Sequence, residues 1–422
     1  MKLDLSKKNL PKVYIRNGKE CFLCQVRKKL VQVTEEEKVR QALIKKLIKE
    51  LNYPEELFEV EVPLAHFKKG IKGRADIVVF KEPSHQSKNS EALLLIECKE
   101  PKEIIDYYFV ENQIERYNKI FNSDIKIITN GIVSKISLND PKKKKYIEIK
   151  DLPDYVKLLK SQNIKVKKIE SPFISAPFSY KKDGKIKRVE IKMGYTGYFS
   201  NVPYELLKDD KWIRWAQKNI TEKHALTGIS TTRELFPYIL KLFDMFYDID
   251  WETGRLKLEG IKIIDDLGYR RDKFGYPTGT LSGIYRYLII KDLLGETQVI
   301  SFSIYSMYQG TYLLVGLDDY DKKNHSLEMR LDKYLSFDTK TEDFTINHDG
   351  RMTIGTNPQK KKEVMNFIEK KAPHLIKDEQ IFLGKFNLKD NTKITNPEVM
   401  KFIGRLILYA LLRNEYRKEK YI

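Results

Sequence analysis

The chain has 422 residues, 41% hydrophobic and 32% charged, which excludes a disordered protein. It contains no run of about 18 apolar residues, no signal-peptide core in Met1–Lys8 and only three cysteines, so a membrane-spanning helix and a disulfide scaffold are excluded and a reducing, cytoplasmic setting is expected. The net charge of +19 is unevenly spread: residues 141–200 carry 16 basic and 6 acidic side chains, 351–422 carry 16 and 8, and 201–350 are slightly acidic. Such clusters suit a polyanionic partner by counterion release, against the plainer reading of solvated lysine-rich faces.

Thr34 and Glu37 have capping-box spacing, and Val39, Leu43, Ile44, Leu47, Ile48 and Leu51 recur at helical intervals, predicting a helix over 35–51. Phe58, Val60 and Val62 alternate with Glu59 and Glu61, as in a strand. A Gly- and Lys-rich loop, His66–Gly73, leads to two apolar runs, Ala75–Phe80 and Ala92–Cys98, expected as neighbouring antiparallel strands with a polar loop between them. A helix over roughly 103–121, a strand over 124–129, the turn Asn130-Gly131 and a strand from Ile132 to Leu138 complete a βαβ-like unit, so this region is α/β. A short helix is expected near Tyr155–Leu159.

The aperiodic stretch Ser171–Pro177 marks a domain boundary, giving a domain over 1–165, a linker over 166–180 and a second region over 181–422. That region reads as α+β: a strand at 186–193, a helix at 231–247 with Thr231 and Glu234 as a capping box, aromatic-rich antiparallel strands between 255 and 350, and helices at Lys361–Lys371 and Pro397–Lys418. In the last helix Phe402, Ile403, Leu406, Ile407 and Ala410 form an apolar stripe, with Arg405, Arg413 and Arg417 as a basic rim.

The chemistry centres on Arg74-Ala75-Asp76-Ile77-Val78-Val79 and Leu94-Leu95-Ile96-Glu97-Cys98-Lys99. Residues two apart in a strand share a face, so Glu97 and Lys99 point one way and Cys98 the other, with Asp76 on the adjacent strand able to meet them. Two carboxylates and an ammonium at the mouth of an apolar strand need mutual pairing or a cation, and carboxylate oxygens suit Mg²⁺. A surface salt bridge at a strand end is the bland alternative. Cys21 and Cys24 lack a second ligand pair and read as packed thiols, and the six histidines show no metal-binding spacing. Trp212 and Trp215, three apart, fit the core face of an amphipathic helix better than a base-stacking platform. Gly350-Arg351-Met352 and Lys360–Lys362 fit either phosphate contact or a solvated turn.

Five ordered blocks resemble the N-terminal nuclease domain of type I restriction-enzyme motor subunits, within the PD-(D/E)XK nuclease superfamily. They are Thr34-Glu35-Glu36-Glu37-Lys38-Val39-Arg40-Gln41, Lys72-Gly73-Arg74-Ala75-Asp76-Ile77-Val78-Val79, Glu97-Cys98-Lys99-Glu100-Pro101, Gln113-Ile114-Glu115-Arg116-Tyr117-Asn118 and Ile128-Thr129-Asn130-Gly131. The resemblance implies a restriction-endonuclease-like α/β fold and a Mg²⁺-dependent (or Mn²⁺-dependent) DNA endonuclease of restriction or defence type. It makes Asp76, Glu97 and Lys99 catalytic, with Asp76 and Glu97 as metal ligands. Glu37 would be a further ligand, although its capping role competes. Arg74, Gln113 and Tyr117 would bind DNA or support the site; Tyr117 is equally well a core aromatic. The phosphate-binding loop of the motor subunits' helicase is missing, so no ATP-driven translocation is expected. The second region would recognise targets or oligomerise, with a homodimer providing two sites for double-strand cutting. The alternatives are a structure-specific repair nuclease, a ribonuclease, or a non-catalytic nucleic-acid-binding subunit of a defence complex.

Overall fold

The computed structural model of the chain describes every residue except 83–90, 106–107, 141, 162–163, 165–172, 195–198, 201, 224–230, 248–256, 259, 275–280, 308–309, 320–321, 355, 394 and 422. Its α/β architecture has several sheets and separates into two compact units, one built from Met1–Glu170, the other from Ser171–Phe274 and Leu281–Ile422.

The first unit opens with an antiparallel meander of β1 (Val13–Arg16), β2 (Lys19–Cys24) and β3 (Lys29–Gln32). Helix α1 (Glu35–Lys49) follows, and the Thr34 hydroxyl accepts from the Glu37 N–H at 3.0 Å. Only half of the expected capping box forms, because the Glu37 carboxylate faces Arg27, Arg40 and Gln41 instead. The main sheet runs in sequence order through β4 (Phe58–Pro63), β5 (Arg74–Phe80), β6 (Ala92–Cys98), β7 (Ile125–Thr129), β8 (Ser134–Asp140) and β9 (Lys145–Ile149). All its pairings are antiparallel except β6 with β7, which α2 (Tyr108–Phe121) connects as a parallel βαβ crossover. A short α3 (Tyr155–Ser161) follows.

Alternation along the strands builds two cores. Ile77, Val79, Leu94, Ile96 and Cys98 pack with Val39, Leu43, Ile44 and Leu47 of α1. Val78, Phe80 and Leu95 pack with Val110, Ile114, Tyr117 and Phe121 of α2. Helices on both faces explain why β5 and β6 read as nearly continuous apolar runs. The polar loop expected between them lies mostly outside the described residues. Helix α2 begins at Tyr108, not near Glu103. The carbonyls of Pro101 and Glu103 accept from the Asn130 side chain at 3.4 and 2.9 Å, which ties that segment to the β7–β8 turn.

The second unit begins with the long hairpin β10 (Phe173–Lys182) and β11 (Lys185–Gly194), extended by β12 (Phe199–Ser200). The stretch 166–180 is therefore not simply a linker: its second half is a strand, and Pro177 is tolerated because β10 is an edge strand. Helices α4 (Tyr204–Leu207), α5 (Asp210–Lys223) and α6 (Phe236–Tyr247) come next. Helix α6 starts after the expected cap: the Thr231 hydroxyl donates to Asp332, and Thr232 accepts from the Leu235 N–H. A six-stranded antiparallel meander follows, β13 (Lys257–Leu258), β14 (Ile261–Phe274), β15 (Leu281–Lys291), β16 (Thr297–Met307), β17 (Gly310–Asp319) and β18 (Lys322–Arg330). After the one-turn α7 (Leu331–Tyr334), a smaller sheet combines β19 (Leu335–Phe337) and β20 (Asp343–His348) with strands further along the chain. A two-stranded ribbon, β21 (Thr353–Ile354) with β22 (Asn357–Pro358), leads to α8 (Lys361–Lys371). The smaller sheet is completed by β23 (Ile376–Lys377) and β24 (Gln380–Asn387), before the closing α9 (Pro397–Tyr421).

Phe402, Ile403, Leu406, Ile407 and Ala410 of α9 are buried in this unit's core with Trp212, Phe246 and Phe302. The expected basic rim is incomplete: Arg413 is buried and donates to the carbonyls of Ser326 (2.7 Å) and Arg351 (2.9 Å). Cys21, Cys24 and Cys98 are buried, and none of them forms a disulfide. Among the described residues no helix is long and apolar enough to cross a membrane.

Candidate active site

The last registered pair between β5 and β6 is Ile77 with Ile96, which leaves Asp76 and Glu97 as the next residues on the two strands. The strand ends diverge there. Asp76 Oδ2 accepts from the Cys98 backbone N–H at 2.7 Å, and the Lys99 N–H donates to Thr129 O at 2.8 Å, fixing the chain after Glu97 to β7. Glu97 is 3% exposed and Asp76 9% exposed, so both carboxylates are largely removed from water.

Glu97 Oε1 accepts from Lys99 Nζ at 2.9 Å and from Gln113 Nε2 at 2.5 Å. Gln113 also donates to the Tyr117 hydroxyl at 3.1 Å. The four-residue interval on α2 thus places both side chains in one line leading to Glu97. Glu97 Oε2 is buried without a hydrogen-bond partner. Burial, reinforced by the charge of Asp76, pushes the Glu97 carboxyl up to about 8. Burial also raises Asp76, opposed by the Arg40 charge and the Cys98 N–H. Burial disfavours the Lys99 ammonium, but Glu97 beside it more than compensates and holds the group above the ordinary lysine range.

Three contributors were not singled out from the sequence. Arg40, 4% exposed, donates from Nη2 to Asp76 Oδ1 at 2.9 Å and to Glu36 Oε1, and from Nη1 to Glu37. Glu61 Oε1 lies 3.1 Å from the same guanidinium, and Glu61 Oε2 lies 3.3 Å from Arg74 Nε. Glu61 has φ of 57° within a strand, a conformation that costs a non-glycine residue on the order of 1 kcal/mol and tends to gather at functional sites. Arg40 and Glu36 stand in the first motif block without a role assigned to them, and the local signal linking the two is their four-residue interval on α1. Nothing local marked Glu61 beyond its place in an alternating strand.

The other expected residues fall as follows. Tyr117 is 3% exposed in the core under α2, as the core-aromatic reading expects, and its hydroxyl accepts from Gln113. A side chain at Gly73 would stand 3.1 Å from that hydroxyl, on a backbone with φ of 116°. Arg74 is mostly exposed beside Glu61. Glu37 is engaged by Arg27 at 2.8 Å, by Gln41 at 2.7 Å and by Arg40.

Oxygen-only donors, an unpartnered buried Glu97 Oε2 and carboxyls raised by burial fit a hard divalent cation. The arrangement is not a closed coordination set, since both Asp76 oxygens accept hydrogen bonds. Among the described residues no group of three or more His, Cys, Asp or Glu side chains is assembled to hold a metal ion.

A family model described as "Type I restriction enzyme R protein N terminus (HSDR_N)" matches residues 35–153. All five motif blocks lie within that span, apart from Thr34 at its edge, so the resemblance read from them is borne out. No curated protein and no solved structure matches the chain.

Proposed function

We propose that the first unit is a metal-dependent nuclease domain of PD-(D/E)XK type that hydrolyses phosphodiester bonds in DNA, in a restriction or defence role, and that the second unit selects the target. The family match and the residues gathered at the ends of β5 and β6 support this reading. The observation that carries it is Glu97: a buried carboxylate with one oxygen taken by Lys99 and Gln113 and the other without a partner. A structural ion pair has no use for such an atom, because leaving it unsatisfied costs about 1–3 kcal/mol.

Asp76 and Glu97 would hold the cation, with Glu36 and Glu61 adding negative charge beside Arg40. When bound, Mg²⁺ supplies Lewis-acid stabilisation of the scissile phosphate and lowers the pKa of water. Lys99, kept protonated by Glu97, neutralises charge growing on a non-bridging phosphate oxygen. Gln113 fixes the orientation of Glu97, and the Thr129 carbonyl fixes the backbone of Lys99.

The test is cleavage of plasmid, single-stranded DNA and RNA by the purified chain with Mg²⁺ or EDTA, beside Asp76→Asn and Lys99→Ala. DNA cutting that needs Mg²⁺ and disappears in both variants is expected. Equal inertness of wild type and variants on every substrate, with binding retained, transfers the assignment to a non-catalytic nucleic-acid-binding subunit.

A further inference from the structure

We infer that the β10–β11 hairpin is a nucleic-acid-binding arm that enters the major groove of duplex DNA. The inference rests on DNA being the substrate, but not on the chemistry of the Asp76–Glu97 centre.

The hairpin has two faces. Phe178, Tyr180 and Val189 are partly buried against the core of the second unit, and Phe178 sits edge-on to Trp215 with ring centroids 4.8 Å apart. Strand alternation sends Ser179, Lys181, Ile186 and Arg188 to the opposite face, where the register pairs Ser179 with Arg188 and Lys181 with Ile186. Every residue from Lys181 to Arg188 is exposed. The tip is strongly basic: Lys181, Lys182, Lys185, Lys187 and Arg188 surround the single acid Asp183.

Most of this charge has no acidic partner among the described residues. Lys182 has a carboxylate 3.6 Å away, from Glu205. Among the described residues Lys181, Lys185, Lys187 and Arg188 have no acidic partner. Lys182 and Lys185 stand directly opposite each other, a like-charge cross-strand pair that destabilises a free hairpin and is relieved by an anion. Ile186 is 69% exposed among these cations, which a merely solvated face would not require.

The dimensions and chemistry suit a duplex. Strands of ten residues at ~3.3 Å per residue make a ribbon ~33 Å long. A two-stranded ribbon fits the B-DNA major groove, which is about 12 Å wide. Lysine and arginine at the edges meet phosphates, serine can reach a base edge, and an exposed isoleucine can lie against a thymine methyl. The deep, narrow major groove of A-form RNA would not admit the ribbon.

The test uses the full chain in EDTA, so that no cutting occurs, and follows fluorescence anisotropy of a labelled 30-base-pair DNA duplex and its RNA counterpart across a salt series. The hairpin variant combines Lys181→Gln, Lys185→Gln, Lys187→Gln and Arg188→Gln. A control removes the same charge from other exposed positions of the second unit, through Lys262→Gln, Lys340→Gln, Lys370→Gln and Lys393→Gln. All four hairpin side chains are exposed, so a thermal melt matching wild type verifies folding. The expected result is a loss of about 100-fold in DNA affinity and a fall of about 3–4 in the slope of log K against log salt, from roughly 0.9 per lost phosphate contact. The control should change affinity by less than about threefold. Equal losses in hairpin and control variants, or an equal hairpin-dependent loss on duplex RNA, overturn the inference. Failure of the nuclease reading would show elsewhere, as wild type that cuts nothing with Mg²⁺.

Discussion

The Arg40 guanidinium lies 2.9 Å from Asp76 Oδ1 and occupies the side of that carboxylate left free by the Cys98 N–H. It also serves Glu36, Glu37 and Glu61, so one buried cation balances much of the negative charge at the centre. Replacing it by a neutral side chain leaves buried carboxylates unpaired, and Arg40→Met should cost about 3–5 kcal/mol in urea unfolding. Mg²⁺ should then raise the melting temperature of Arg40→Met more than that of wild type. Equal Mg²⁺ shifts in the two proteins would refute this competition for Asp76.

The Glu97 carboxyl, pushed up to about 8 by burial and by Asp76, binds a proton more tightly in the folded protein than in the unfolded chain, where 4.5 is ordinary. The stability this contributes is fully present below about pH 4.5 and is lost as pH rises towards about 8. Glu97→Gln keeps the side-chain shape and removes the titration. In EDTA, the stability difference between variant and wild type should therefore grow in the variant's favour across that window, while DNA cutting in Mg²⁺ disappears. A difference that does not change with pH would count against the assignment of this carboxyl.

Gln113 and Tyr117 should separate by substitution. Gln113→Ala frees Glu97 to rotate and should lower kcat about 100-fold, since small misplacements of a catalytic group carry that penalty. Its unfolding free energy should fall by only about 1 kcal/mol. Tyr117→Phe keeps the ring in the core and removes only the acceptor for Gln113, so stability should change by about 1 kcal/mol or less. Tyr117→Ala should cost about 3–5 kcal/mol. If Tyr117→Phe leaves kcat untouched, the tyrosine is a packing residue alone.

The second unit carries a pH signature of its own. His348 is buried, and its Nδ1 accepts from the Gly350 N–H at 3.1 Å and lies 2.7 Å from the Tyr409 hydroxyl. Burial, then the nearby Arg413 charge, lowers it to about 3. The neutral ring is the folded form, so its contribution is intact above about pH 6.5 and is lost as pH falls towards about 3. His348→Gln should lose this part of the acid sensitivity, read as a smaller decline in denaturation midpoint between pH 7 and 4.

Asp76, Glu97 and Lys99 could be brought together from the sequence because they lie on or at the end of neighbouring strands whose apolar runs are obvious, whereas Gln113 and Tyr117 were placed beside them only by the family resemblance, their four-residue interval fixing no more than a shared helix face. Arg40 could not be assigned to Asp76 in the same way: the two are 36 residues apart, and their meeting depends on how α1 packs across the sheet. Glu61 was hidden because it follows the same buried and half-exposed alternation as Glu59, and its left-handed backbone and its approach to Arg40 appear only in the folded chain. The early start expected for α2 failed because Asn130, brought in by tertiary structure, binds the carbonyls of Pro101 and Glu103. Arg413 was misread as a rim residue because its acceptors, the carbonyls of Ser326 and Arg351, belong to other elements.

The hydrogen bond between Gln113 and Glu97 and the one between the Lys99 N–H and the Thr129 carbonyl both join a part of the chain made earlier to a part made later. A ribosome that has just released Cys98 has delivered both carboxylates and neither support. The centre then takes shape only once the β6–α2–β7 crossover has closed. An unfinished polypeptide therefore carries the two carboxylates without the geometry that sets them.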